Sequence, residues 1–190
     1  DMAVGMMTIL STLMQFLMLP AQGLAQGAQP IISYNYGAGN AARVKEAFKR
    51  LISTAFGITL LIYILFLAGS KYVILPFTAD AELTKLTVWG IRIYFSAGIL
   101  IGIQMASLQT LMALGKAGTS TFLSLLRKVF LLIPFIYIFP GFIEDKVFAV
   151  ILAEPVADVI SVSATIIIFS IQFKRTLKEC SKRSKKEYSP

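Results

Sequence analysis

The chain of 190 residues has no histidine and one cysteine, Cys180. These absences exclude catalytic Ser-His or Cys-His pairs, Cys/His metal sites and any internal disulfide. No glycine-rich stretch ends in Gly-Lys-Ser/Thr, so there is no P-loop, and transport driven by hydrolysis would need another subunit. Charge is also scarce. Only 15% of the residues are charged, 56% are hydrophobic and mean hydropathy is +0.74, whereas a soluble domain carries about a quarter charged residues. A soluble fold of this length buries one good core. It does not conceal several apolar runs, each long enough to cross a bilayer of about 30 Å.

Acids are outnumbered by bases, 10 to 18, for a net charge of +8. Seven of the 18 bases fall between Lys174 and Lys186, so a local tail accounts for them better than a nucleic-acid face, and no nucleic-acid partner is expected. Cys180 lies in that tail, where an exposed thiol is the plain expectation and acylation near the membrane the alternative. The chain enters a hydrophobic helix directly after Asp1 with no basic region ahead of it, which is not a signal peptide. It reads as a portion of a longer polypeptide.

No charge occurs from Met2 to Ala42, a run that as one helix would be about 60 Å long and would overshoot a bilayer. Pro20 only kinks it. Gly23, Gly27, Pro30, Gly37 and Gly39 progressively remove helix propensity, which places the first span at about 3–32. Further spans are expected at about 51–68, 86–114, 121–139 and 147–173, followed by a basic tail over 174–190. Gly115 and Gly118 end the third, and Pro134 bends the fourth. The fold class is an all-α membrane protein with five transmembrane helices in a lipid bilayer.

Cytoplasmic loops hold the excess of Lys and Arg. Arg43, Lys45, Lys49 and Arg50, then Lys116, Arg127 and Lys128, then the tail share one side, which gives 14 bases against Lys71, Lys85 and Lys146 on the other. The tail is therefore expected in the cytoplasm, and an inner or plasma membrane location follows.

Polar groups inside hydrocarbon are costly unless they face protein or a wet cavity. Ser11, Gln15, Gln22, Gln26, Gln29 and Ser33 are separated by 4, 7, 4, 3 and 4 residues and form one stripe on the first helix. Their amides either line a solute path or bond neighbouring helices. On the third helix, Gln104 and Ser107 are one turn apart and can meet this stripe, so Gln22, Gln26, Gln29, Gln104 and Ser107 are the candidate cavity residues. On the last helix Glu154, Asp158, Ser161 and Thr165 repeat the pattern at 4, 3 and 4. Two acids one turn apart suggest a proton or cation site; a salt bridge to Arg92, or closeness to the outer interface, explains them otherwise. Arg92 itself is placed to snorkel toward headgroups, and Tyr34 and Tyr36 to anchor at the interface.

The stretch Gly23-Leu-Ala-Gln-Gly-Ala-Gln-Pro-Ile-Ile-Ser-Tyr-Asn-Tyr-Gly-Ala-Gly-Asn40, followed by Arg43, Val44 and Lys45, resembles the eighth helix and next loop of the multidrug and toxic compound extrusion (MATE) family. Leu114-Gly115-Lys116 resembles the close of that family's tenth helix, and Ala153-Glu-Pro-Val-Ala-Asp158 its twelfth. The resemblance implies a twelve-helix exporter of two lobes around a cleft, exchanging amphipathic, often cationic compounds for Na⁺ or H⁺. No cofactor is implied beyond the coupling ion. This chain would supply helices eight to twelve, and its partners would be the N-terminal lobe and the first helix of its own lobe. Coupling acids described for some members lie in the first lobe or on the seventh and tenth helices. The helix here that resembles the tenth has no acid, so the resemblance assigns no coupling role to Glu154 or Asp158.

Three other readings are open at this stage. A lipid-linked saccharide flippase of the same superfamily would call for a more cationic cavity. A non-transporting membrane scaffold would use the polar stripes only to hold helices together. A membrane hydrolase built on the two acids lacks a nucleophile and a metal ligand, so no enzyme activity is expected.

Overall fold

The computed structural model describes residues 2–187, with side chains through residue 182. The described residues are helical almost throughout: α1 (Met2–Gly37), α2 (Ala41–Ala68), the short α3 (Ser70–Ile74), α4 (Ala81–Tyr94), α5 (Ile101–Ala113), α6 (Ala117–Leu125), α7 (Ile133–Phe142) and α8 (Lys146–Glu187). A π-helical segment, Leu126–Leu132, joins α6 to α7. Four elements are long and apolar enough to cross a membrane, namely α1, α2, 117–142 and α8. The pair α4 and α5, bent by 52° at its break, makes the fifth.

Boundaries follow local chemistry more than the apolar runs do. Helix α1 continues past Ile32 to Gly37, because Ala25 and Ile32 are fully buried against the bundle while Gly23 and Gly27 meet nothing within 4 Å. Packing on one face outweighs weak propensity on the other. The turn is then only three residues, with Gly39 at φ 70°, a left-handed conformation that glycine adopts without strain. Asn40 caps α2 by accepting from the Arg43 N–H at 3.2 Å. Helix α2 therefore begins ten residues before Leu51, since the charged residues of 43–50 are good helix formers. Asp80 and Asp145 cap α4 and α8 in the same way.

The third span is broken. Phe95 and Gly98 sit at the bend, and the i→i+3 bonds Gly98 N–H to Phe95 O (2.8 Å) and Leu100 N–H to Ala97 O (2.9 Å) tighten the chain there. Phe95 is fully buried and Gly98 lies against Leu17, so close packing explains the bend, which involves no proline. Gly115, at φ 75°, closes α5 as its sequence position suggests. In the fourth span Pro134 follows the π-segment by two residues. It lacks the N–H an α-helix would donate at that point, and its ring crowds the carbonyl four residues back.

Two apolar clusters hold the bundle. One contains Met6, Leu10, Leu13, Leu17, Phe95, Ile101 and Ile151; the other contains Ala25, Ile32, Leu51, Ala55, Leu111, Phe169 and Phe173. Between them four of the spans present a buried polar residue: Thr59 of α2, Gln104 of α5, Arg127 of the fourth span, and Asp158 and Ser161 of α8. The bundle thus has a polar waist between its two apolar clusters.

Helix α8 does not end at Phe173 but runs through the basic segment to Glu187; residues 188–190 of the expected tail, like Asp1, lie outside the described residues. Cys180 is buried, with its thiol 3.7 Å from the Tyr36 carbonyl. This corrects the expectation of an exposed thiol: the helical extension lays that side against the end of α1.

Where α5 crosses α2, a Cβ on Gly102 would stand 2.6 Å from Thr59 Oγ1 and 2.7 Å from the Ala55 carbonyl. Gly102→Ala is expected to lower stability by about 1–3 kcal/mol. Gly57→Ala, whose position is open, should leave it unchanged or slightly raised. Thermal unfolding in detergent measures both, and equal midpoints would contradict the close helix crossing.

Candidate functional site

Helix α8 turns Asp158, Ser161 and Thr165 fully inward, as their spacing predicts, and leaves the Glu154 side chain 16% exposed. Arg127 meets the two acids. Its Nε donates to Asp158 Oδ1 at 2.5 Å and its Nη2 to Glu154 Oε1 at 3.3 Å. Arg127 stands ten residues into its span, about 15 Å from the start, and is buried. This revises two expectations. Arg127 is not a loop base at a helix end, and the partner of the acids is not Arg92, which is exposed on α4. The fourth span starts at Ala117, four residues earlier than Thr121, so Arg127 lies about 6 Å further from the helix start than the span expected at 121–139 implies.

A second cross-helix bond lies beside the first. Gln104 Nε2 donates to Ser161 Oγ at 2.8 Å and joins α5 to α8. Among the described residues, Gln104 Oε1 and Asp158 Oδ2 are buried without a hydrogen-bond partner. Tyr94 of α4 is buried within electrostatic range of Arg127, Glu154 and Asp158, and Lys128 within range of Glu154. Nearer the basic end, Gln172 Nε2 bonds Thr119 Oγ1 at 2.9 Å and ties the same two spans again.

Arg127 also lines a pocket of about 330 Å³. Its walls are Met18 and Gln22 of α1, Gln104, Met105 and Leu108 of α5, and Ser124, Arg127 and Lys128 of the fourth span. The pocket sits at the polar waist. A larger groove of about 500 Å³, between the starts of α1 and α8, is apolar apart from Thr8, Ser11 and Lys146 at its rim and contains no buried polar group.

Of the five candidate cavity residues, Gln22 and Gln104 come together in this pocket. Ser107 is buried and donates to the Ile103 carbonyl of its own helix. Gln26 is exposed and Gln29 half-buried, further along the stripe. That stripe lies opposite the buried face of α1, and Ser11 and Ser33 bond only within their own helix. Among the described residues, none of its six side chains bonds another helix. Arg127 is the residue that sequence reasoning missed. Its signal was a charged residue inside the apolar run expected at 121–139.

Residues 1–138 match the family model MatE. The multidrug export protein MepA of Staphylococcus saprophyticus is 24% identical over 167 residues, covering 87% of this chain and 36% of its own length. The chain therefore spans 36% of the length of the curated relatives it matches. Among solved structures, an outward-facing multidrug resistance MATE transporter of the MOP superfamily superposes with a TM-score of 0.85 at 18% identity, over 92% of this chain and 39% of that one. The MATE multidrug transporter DinF-BH, solved as a complex, gives 0.78 at 32% identity, over 87% and 36%.

Removing one partner of a buried ion pair strands the other in a medium that does not solvate it, at about 3–5 kcal/mol. Arg127→Met is therefore expected to lower stability by about that amount, while Lys128→Met, at an exposed position, costs under about 1 kcal/mol. Thermal unfolding in one detergent compares them, and a wild-type midpoint for Arg127→Met would contradict the buried pair.

Proposed function

The chain belongs to the MatE family, and from that premise we propose that it forms part of a secondary active antiporter exporting amphipathic, often cationic small molecules in exchange for Na⁺ or H⁺. The observation that carries this reading is the adjacency of a polar pocket and a buried charge cluster at one height in the lobe. Transport by alternating access needs a site that two lobes can expose in turn near the membrane midplane. The pocket offers amide groups from Gln22 and Gln104 and soft apolar walls from Met18, Met105 and Leu108. Met side chains adapt to varied shapes, which suits a broad range of cargo.

The stripe on α1 extends the polar wall beyond the pocket. Gln26 and Gln29 continue the path from Gln22 toward the end that bears Arg43 and Lys45. A second lobe and one further helix of this lobe would cover that face. We place the basic end in the cytoplasm of a plasma membrane protein, in line with the 14 to 3 distribution of Lys and Arg, which keeps its sign when the buried Arg127 is set aside. Glu154 and Asp158 are the proposed ion site, reached from the pocket side past Arg127. The named relatives are export proteins and transporters, in keeping with a role that requires no bond making or breaking.

Replacing Gln22 by Leu removes an amide from the pocket without changing a charge. In cells that depend on this exporter, Gln22→Leu should reduce rhodamine 6G efflux several-fold at unchanged membrane abundance. Gln15→Leu, which lies outside the pocket, should leave efflux near wild type. Equal efflux from both variants and wild type would reject the pocket as the solute path.

A further inference from the structure

Arg127 belongs to the ion cluster and to the pocket at once. Its Nε and Nη2 are held by acids of α8, while the same side chain forms part of the pocket wall with Ser124 and Lys128. The formal charges around it balance: Arg127 and Lys128 against Glu154 and Asp158. Their arrangement is one-sided. Both bases line the pocket and neither acid does. The other elements packed here bring no formal charge: α1 contributes Met18 and Gln22, α5 contributes Gln104, and α4 contributes Tyr94, whose phenol is the remaining titratable group.

Neutralising one carboxylate therefore leaves a positive charge without compensation, and the groups that carry it stand at the pocket wall. We propose that Arg127 is a relay: a proton taken up by Glu154 or Asp158 uncovers the guanidinium charge to the pocket and expels a cationic solute. The proposal rests on the pocket being the solute path, and it deepens that reading by naming the coupling ion and the residue that transmits its arrival. The chemistry is a single protonation in which a carboxylate oxygen takes a proton from hydronium, which leaves as water, and no other bond forms or breaks. Asp158 Oδ2, buried and unpartnered, can accept it without first breaking the Arg127 bond to Oδ1.

A proton fits this cluster better than Na⁺. Hard cations take several oxygen ligands at once, whereas Asp158 Oδ1 and Glu154 Oε1 already face a guanidinium. Among the described residues, no group of three or more Asp, Glu, Cys or His side chains is placed to hold a metal ion. In direct competition the solute would touch the acids. In the relay it never does, because Arg127 lies between.

Rhodamine 6G and fluorescein share a ring system and carry opposite charge, and their binding to the purified protein in lipid nanodiscs separates the two schemes. Asp158→Asn should weaken rhodamine 6G by about thirtyfold, the effect of one uncompensated charge at about 8 Å in a medium of effective dielectric about 20. The same variant should bind fluorescein more tightly, which also reports that its pocket is intact. Adding Arg127→Gln should bring rhodamine 6G back to within a few-fold of wild type. A double variant as weak as Asp158→Asn alone would overturn the relay, because an acid that held the dye directly would not be rescued by losing a base. As a second measurement, acidifying the wild-type protein should lower the affinity for rhodamine 6G, whose own charge does not change with pH in this range; an unchanged affinity would equally reject the relay. If the wild type bound neither dye saturably, the pocket assignment itself would fail, a different result from either of these.

Discussion

Asp158 and Glu154 meet Arg127 in the middle of the lobe, and what surrounds them is arranged to make that meeting tolerable. A guanidinium or a carboxylate alone at this depth costs several kcal/mol. Paired, with Gln104 and Ser161 bonded beside them, they form a waist between two apolar clusters. The fourth span needs this contact more than the others do. It buries 11% of its most apolar window, compared with 39% for α8 and 33% for α1. Two side-chain links, Arg127 to the acids and Gln172 to Thr119, join it to α8 where apolar packing is thin.

That thinness connects packing to function. A span held by a few polar bonds can change its position when the charge of those bonds changes, whereas one locked by a close-packed interface resists. The π-segment in the same span points the same way. The segment Leu126–Leu132 carries both Arg127 and Lys128, successive in sequence, and both line the pocket. Polar residues that look expendable in a soluble core thus serve here as the adjustable part of the structure.

Much of this was legible in the sequence, for identifiable reasons. Helix periodicity depends only on spacing, so the shared face of Glu154, Asp158, Ser161 and Thr165 was predictable, as was the stop at Gly115. The stripe from Ser11 to Ser33 was correctly placed on one face, but whether that face turned toward neighbouring helices was not legible, because spacing fixes relative angle and not direction. The bend at Phe95–Gly98 was missed since no proline marks it and its cause is contact with Leu17 from another helix. The partner of the acids was missed because Arg127 was counted with the cytoplasmic bases near the helix ends, although it lies inside the apolar run expected at 121–139. Cys180 was misplaced because a charged segment was read as a loop when it continues as helix.

On the proposed reading the chain would supply one wall of a solute path and one trigger, and both would depend on the same guanidinium. The most direct test of that dependence is a charge-swap cycle. Arg127→Glu and Asp158→Arg each place like charges together in the lobe's interior, and the double swap rebuilds an opposite pair across the same two helices. Unfolding midpoints should fall sharply for each single variant and recover most of the loss in the double. If the two losses simply add, the residues are not in contact, and the charge cluster on which this account is built does not exist.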